Sequence, residues 1–251
     1  MKQFRQLARR ILDRTLIPFL CYVRYRIHAS VPPYRILEEL TRRTIAECAE
    51  FVQTEMETAL GFDRREDLWD YVWTKKNDSG LVAEFGVWNG YSINRFAEKT
   101  SDVVFGFDSF VGLQEDWKGT ALPKGALDRG GKLPKVKKNV ELFKGWFDET
   151  LPPFLANHGN DFAFIHIDCD TYEATVTVLR LLAPRIKPGT LIVFDEYICF
   201  RGWKCGEYRA WQEFVTSNHI HYEYLAFSTT QVAVQVSRES LKKYCFAPSE
   251  Q

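Results

Sequence analysis

The sequence predicts an α/β protein built on a doubly wound, mostly parallel sheet. Three observations carry this. From Gly80 onward, short apolar runs alternate with segments of helical period, the pattern of strands joined by helical crossovers. Several of those runs stop at an acidic residue, as at Asp108, Asp168 and Asp195. The last two runs are joined by a turn too short for a crossover, which predicts a C-terminal antiparallel hairpin.

Residues 1–30 are basic, with Arg5, Arg9, Arg10 and Arg14 interleaved with Phe4, Leu7, Ile11 and Leu12 at helical spacing. That pattern suits a packing or dimerisation helix of a homo-oligomer, and it also suits a weak contact with an anionic membrane surface. Val31-Pro32-Pro33 interrupts it. A helix is predicted over 35–60, where Ile36, Leu37, Leu40, Ile45, Cys48 and Phe51 recur at three- and four-residue spacing. Another is predicted over about 64–75. Residues 1–79 therefore read as an N-terminal helical region that packs, dimerises or covers substrate, ahead of an α/β domain at 80–251.

The predicted sheet begins with a strand at 81–85, which runs into Gly86-Val87-Trp88-Asn89-Gly90 and a helix over 92–99. A second strand at 103–107 ends at Asp108. Residues 111–138 are polar and rich in glycine and proline. A loop this long inside a compact domain is usually functional or disordered. It is expected to be mobile without ligand and to close over a substrate. A short strand at 140–143 precedes Gly145-Trp146-Phe147. A buried strand at 162–167 ends at Asp168, a helix covers 174–182, and a strand at 190–194 ends at Asp195. A helix at 208–216 and hairpin strands at 222–227 and 232–236 complete the order.

Composition narrows the function. The 251 residues are 45% apolar and 26% charged, which suits a globular protein with a sizeable core. Lys plus Arg total 33, as do Asp plus Glu, so the basic excess of a nucleic-acid binder is missing. The six cysteines (Cys21, Cys48, Cys169, Cys199, Cys205 and Cys245) include no CxxC pair. They read as reduced thiols of a cytoplasmic protein rather than a zinc site or a disulfide framework. No run approaches the roughly 18 apolar residues of a transmembrane segment. The nearest candidate, 16–23, is interrupted by Pro18 and lacks the cleavage site of a secretory signal.

In a Rossmann-like sheet, ligands bind beyond the carboxyl ends of the strands, where the strand order reverses. Those ends carry Glu84, Gly86, Asn89 and Gly90, then Asp108 and Ser109, then Gly145, Trp146 and Phe147, then Asp168. The glycines let backbone approach a ligand closely. The helix that opens near Ser92 offers amide donors at its N-terminus. Asp108 can accept hydrogen bonds from both hydroxyls of a ribose. The glycine spacing departs from the GxGxxG fingerprint of pyrophosphate binding, which disfavours a nicotinamide oxidoreductase. It suits S-adenosyl-L-methionine, which has no pyrophosphate but has an ammonium group, and Glu84 puts a carboxylate where that ammonium can sit.

A second constellation lies on two later strands. His166-Ile167-Asp168-Cys169-Asp170 ends one and Asp195-Glu196 the next, so four carboxylates converge on one rim. Unpaired, they would repel and raise each other's pKa. A hard divalent cation with oxygen ligands resolves that conflict, Mg²⁺ or Mn²⁺ rather than zinc. The plainer alternative is that these acids cap helices or pair with Arg and Lys. His166 is either a buried structural histidine or a general base. Asp168-Cys169-Asp170 also reads as the DxD metal motif of a nucleotide-sugar glycosyltransferase, and a non-catalytic nucleoside-binding scaffold is the non-enzyme alternative.

Residues about 80–236 resemble the macrocin/mycinamicin/novobiocin-type sugar O-methyltransferases, which are class I S-adenosylmethionine-dependent enzymes. The matching stretches are AEFGVWNGYS at 83–92, FGFDSFVGL at 105–113, GWFDETLP at 145–152, HIDCDTYEATVTVLRLLAPRIKPGTLIVFDEY at 166–197 and the hairpin. The resemblance implies a methyltransferase domain at 80–251 acting on a hydroxyl of a small glycoside or other polyol or phenol. It implies Mg²⁺ held by Asp168, Asp195 and Glu196, with Asp170 as general base. It implies a cofactor site lined by Glu84, Gly86, Asp108, Ser109, Trp146 and Phe147. The chain departs from the family pattern at one point, since the sugar enzymes tend to carry two aspartates where Asp195-Glu196 stands.

Overall fold

A computed structural model of the chain describes Leu16, Ile17, Phe19, Leu20, Tyr22 and residues 35–238. The basic residues Arg5 to Arg14 and the proline break at 31–33 lie outside the described residues. The elements run α1 (Ile36–Glu55), β1 (Leu60–Phe62), α2 (Arg65–Trp73), β2 (Leu81–Phe85), α3 (Tyr91–Ala97), β3 (Val104–Asp108) and β4 (Val140–Lys144). They continue with α4 (Phe147–Asn157), β5 (Phe162–Ile167), α5 (Tyr172–Leu182), β6 (Leu191–Phe194), α6 (Glu207–Asn218), β7 (His221–Ser228) and β8 (Gln231–Ser237). The strands form one sheet in the order β1-β7-β8-β6-β5-β2-β3-β4. Only β8 runs against its neighbours: it pairs antiparallel with β6 and β7, while the other paired strands are parallel. The C-terminal hairpin is therefore present, with β8 wedged between β6 and β7.

The connections explain the ligand position. From β2 the chain builds outward through β3 and β4, then returns to set β5 and β6 on the other side of β2. The carboxyl ends of β2 and β5 are thus the topological switch point. Both strands are buried along their full length, as expected for central strands covered on both faces. Period-two alternation then sorts their side chains. Leu81, Ala83, Phe85, Ile165 and Ile167 join one core with Phe154, Val178, Leu179 and Trp211. Val82 and Phe164 join the opposite core with Leu68, Trp69, Ile93 and Phe96. The α5 residues Val178, Leu179 and Leu182 are fully buried, each worth roughly 1.5–3 kcal/mol relative to exposure.

Three elements differ from the sequence reading. The helix expected to reach residue 60 stops at Glu55, and Leu60–Phe62 becomes an edge strand parallel to β7. Gly61 permits that pairing, because a Cβ there would meet the Phe227 ring at 2.9 Å. Helix α4 is absent from the sequence reading, since Pro152 and Pro153 lie inside it and interior prolines ordinarily break a helix. Buried Leu151 and Phe154 hold it in place, and the Phe154 ring packs on Phe105, Phe107 and Phe143. The chain also divides into units Met1–Arg42 and Arg43–Gln251. β1 pairs with β7, and α2 packs on β7 and β8. The described cysteines Cys48, Cys169, Cys199 and Cys205 are free thiols. Among the described residues no helix is long and apolar enough to cross a membrane.

The 111–138 insertion contains no helix or strand, but it is internally bonded. Leu113 donates to the Ala126 carbonyl and accepts from Gly125, both at 2.9 Å, and the Arg129 and Gly131 amides donate to the Phe110 carbonyl. The Glu115 carboxylate accepts the Glu173 amide at the start of α5. The backbone at Lys118-Gly119 presses directly on Gly202, where a Cβ would lie 1.9 Å from the Lys118 oxygen. Gly202→Ala is therefore expected to unseat this contact, at a cost of about 1–3 kcal/mol by overpacking. Hydrogen exchange at the Leu113 and Gly125 amides should speed up. An unchanged unfolding midpoint with unchanged exchange would show that the glycine contact does not hold the insertion.

Candidate cofactor and metal site

The strand ends are tied together by bonds that run one residue past each ladder. Gly86 donates to Phe107, Gly145 to Asp108, Asp168 to Phe85 and Asp195 to Ile167, all at 2.8–3.0 Å. This aligns Gly86, Asp108, Asp168 and Asp195 along one rim. Gly86 has φ +92°, and a Cβ there would lie 1.7 Å from the Asp168 carbonyl oxygen. The bare backbone of glycine is what lets the β2 and β5 ends touch.

Asp108 organises the loop after β2. One carboxylate oxygen accepts the Val87 and Trp88 amides at 2.8 and 2.7 Å, and the other accepts the Phe110 amide at 2.7 Å. Trp88 and Phe110 both sit at positive φ, +43° and +57°, a costly state for bulky residues that the charged hydrogen bonds offset. An ionised carboxylate has about four acceptor positions, so Asp108 keeps capacity for a ligand hydroxyl.

A cavity of about 490 Å³ opens over this rim, within the range that holds a small-molecule ligand. Of the cofactor residues expected from the sequence, Gly86, Asn89, Ser92, Asp108, Ser109, Gly145, Trp146, Phe147 and Asp168 line it, together with Asp170 and Asp195. Gly90 does not. It caps α3 in the left-handed region at φ +82° and closes the loop against Pro134. Leu113 and Arg129 of the insertion also line the cavity, as do Arg65 and Ala174, which the sequence reading did not single out. No local motif marks these two, because the fold brings them in from α2 and α5.

Glu84 requires a correction. Strand alternation turns it toward the α2/α3 face, where it is wholly buried and does not line the cavity. Its carboxylate accepts the Ser92 hydroxyl at 3.0 Å and meets His166 Nδ1 at 3.1 Å. A direct grip on a ligand ammonium is therefore not available to it. His166 is equally buried, with Trp69 and Phe96 rings edge-on around it, and its Nε2 lies 3.6 Å from Asp195. Burial opposes a charge on the imidazole, but Asp195 and Glu84 outweigh it and raise the pKa to about 10. His166 is thus a buried histidine between two carboxylates. Asp195 also accepts a hydrogen bond from Gln231. Burial works against its charge too, yet His166 holds its carboxyl below the usual range.

The remaining acids gather in a way the sequence did not specify. Oxygens of Asp168, Asp170 and Glu196 all lie within 4.8 Å of one another, and a second group joins Asp168 and Asp195 with His166. Asp168 belongs to both. The expected trio of Asp168, Asp195 and Glu196 is therefore split: Asp170 takes the place of Asp195 beside Glu196. Burial, then the Asp195 charge, pushes Asp168 and Glu196 well above the carboxylate range, and raises Asp170 to about 7. Glu196 Oε2 is buried with no hydrogen-bond partner among the described residues. An orphaned carboxylate oxygen in an all-oxygen cluster fits a hard divalent cation. Glu196 does not line the cavity itself.

The chain is similar to known methyltransferases. Residues 83–197 match a methyltransferase domain family. The chain is 31% identical to the 8-demethyl-8-(2,3-dimethoxy-alpha-L-rhamnosyl)-tetracenomycin-C 4'-O-methyltransferase of Streptomyces olivaceus, over 56% of this chain and 62% of that protein. The match thus spans less than two thirds of that relative's length. It is 28% identical to the mycinamicin III 3''-O-methyltransferase of Micromonospora griseorubida, over 74% of this chain and 81% of that one. Among solved structures, the calicheamicin methyltransferase CalS11 shares the fold, with a TM-score of 0.56 and 21% identity over 83% of this chain and 95% of its own.

Proposed function

We propose that the chain is a class I, S-adenosylmethionine-dependent methyltransferase, and that it methylates a hydroxyl of a small glycoside or related polyol or phenol, with Mg²⁺ or Mn²⁺ at its carboxylate rim. The observation that carries this is the oxygen cluster of Asp168, Asp170 and Glu196 at a cavity that Asp108 also lines. The Streptomyces olivaceus relative acts on a rhamnosyl-tetracenomycin, which supports a glycoside acceptor.

The cofactor supplies a methyl on a sulfonium, and a bound cation lowers the pKa of an acceptor hydroxyl. The protein's own part is alignment and proton transfer. The spare acceptor capacity of Asp108 suits a ribose hydroxyl, and Trp146 and Phe147 give aromatic wall for the base. Asp168, which belongs to both ligand groups, and Glu196 would hold the cation. Asp170 lines the cavity and takes the proton from the acceptor oxygen. Ordering both reactants over one rim supplies much of the rate.

The test is methyl transfer from S-adenosylmethionine to a panel of glycosides and catechols, followed by mass. Turnover is expected with Mg²⁺, lost after exhaustive chelation with EDTA and restored by Mg²⁺ or Mn²⁺. Full turnover after chelation would remove the metal from the mechanism. Binding of a UDP-sugar in place of any S-adenosyl nucleoside would overturn the reaction class.

A further inference from the structure

The cofactor reading leaves the charge of Arg65 unused. Arg65 stands in the first turn of α2 and lines the cavity beside Gly86, Tyr91 and Ser92. Its guanidinium lies over two rings, 5.3 Å from the centre of Trp69 and 5.2 Å from that of Tyr91. Both rings are fixed: Trp69 is core, and the Tyr91 hydroxyl donates to Glu66 at 2.8 Å. The stack therefore orients the Arg65 side chain although it is 43% exposed. Its ion-pair partner among the described residues is Glu66, 3.7 Å from Nε, a carboxylate already engaged by Tyr91. Among the described residues the planar fork has no close bidentate acceptor.

Its position along the cavity matters as much. Helix α2 packs against β7 and β8, on the β6 side of the switch point. Asp108 ends β3, on the other side. The second cavity cation, Arg129, hangs on the Phe110 carbonyl next to Ser109, on the Asp108 side. Buried Glu84 cannot reach a ligand. A ligand whose ribose sits at Asp108 would therefore extend its other end toward Arg65. In S-adenosylmethionine that end carries one carboxylate, the group a guanidinium fork matches in shape and charge.

We propose that Arg65 receives the α-carboxylate of S-adenosylmethionine, its stacked guanidinium fixing the amino-acid end of the cofactor. This rests on the cofactor reading above. The test is calorimetry of the full chain with two probes, S-adenosylhomocysteine and 5′-methylthioadenosine, which keeps the nucleoside but lacks the amino acid. Arg65→Gln is expected to weaken S-adenosylhomocysteine by about 10–100-fold, the range of a lost charged hydrogen bond, and to leave methylthioadenosine within about twofold. Arg65→Lys, which keeps the charge without the fork, should fall between. Parallel weakening of both probes in both variants would overturn the assignment, since it would reflect damage to the pocket. Unchanged S-adenosylhomocysteine affinity would overturn it too, while leaving the cofactor reading intact. Failure of the unaltered protein to bind either probe would instead sink the cofactor reading and this assignment with it.

Discussion

Asp170→Asn is expected to slow methyl transfer by about 10²–10⁴-fold, the usual worth of a positioned general base, while leaving cation binding nearly intact. Asp170 lines the cavity, and burial followed by the Asp195 and Asp108 charges raises its pKa to about 7. A base near neutrality is well matched to a hydroxyl proton. The substitution should be tolerated by the fold. Asp170 sits at φ +63°, a left-handed conformation that Asn adopts about as readily as Asp. Asp168→Asn is the contrasting variant: Asp168 belongs to both candidate ligand groups, so its loss should abolish cation binding and cation-dependent turnover together. The distinction matters because Asp170 shares the oxygen group of Asp168 and Glu196. Single-turnover rates and Mg²⁺ titration on the same Asp170→Asn sample decide it. A rate loss with an equal loss of Mg²⁺ affinity makes Asp170 a ligand, and an unchanged rate moves the base elsewhere.

Much of this site is legible in the sequence because strands obey a two-residue period and end on the residues that matter. Gly86, Asp108, Asp168 and Asp195 each stand just past an apolar run or at its end, and the ladder bonds beyond the strand ends put them on one rim. The same period, carried one step further, places Glu84 away from the ligand. It shares a face with Val82, and that face belongs to the Trp69 and Phe96 core rather than to the cavity. Side-chain reach cannot be read this way. Glu196 is one residue from Asp195, yet its oxygen groups with those of Asp168 and Asp170, while Asp195 groups with Asp168 and His166 and accepts from Gln231. Arg65 is invisible in the sequence for a different reason: it is distant from every strand end of the rim, and only the packing of α2 brings it there. Helix α4 is hidden by Pro152-Pro153, where burial of Leu151 and Phe154 outweighs a local rule.

Gly86→Ala should be the most damaging single methyl in the molecule, destabilising it by more than about 3 kcal/mol and abolishing cofactor binding if it folds. Two costs add at that position. The backbone is at φ +92°, which strains any residue with a side chain, and the new Cβ would lie 1.7 Å from the Asp168 oxygen. Neither strand end can retreat cheaply. The Gly86 amide is bonded to Phe107 and the Asp168 amide to Phe85, so relief would open the ladder between β2, β3 and β5 at the switch point. Gly125→Ala separates the two costs, because Gly125 has a similar φ of +82° but nothing within 4 Å of a Cβ. That variant should lose only about 1 kcal/mol of conformational strain and bind S-adenosylhomocysteine normally. Denaturant unfolding and calorimetry on both proteins make the comparison. If Gly86→Ala matches Gly125→Ala in stability and still binds the nucleoside, the contact between the β2 and β5 ends is not what shapes the cofactor floor.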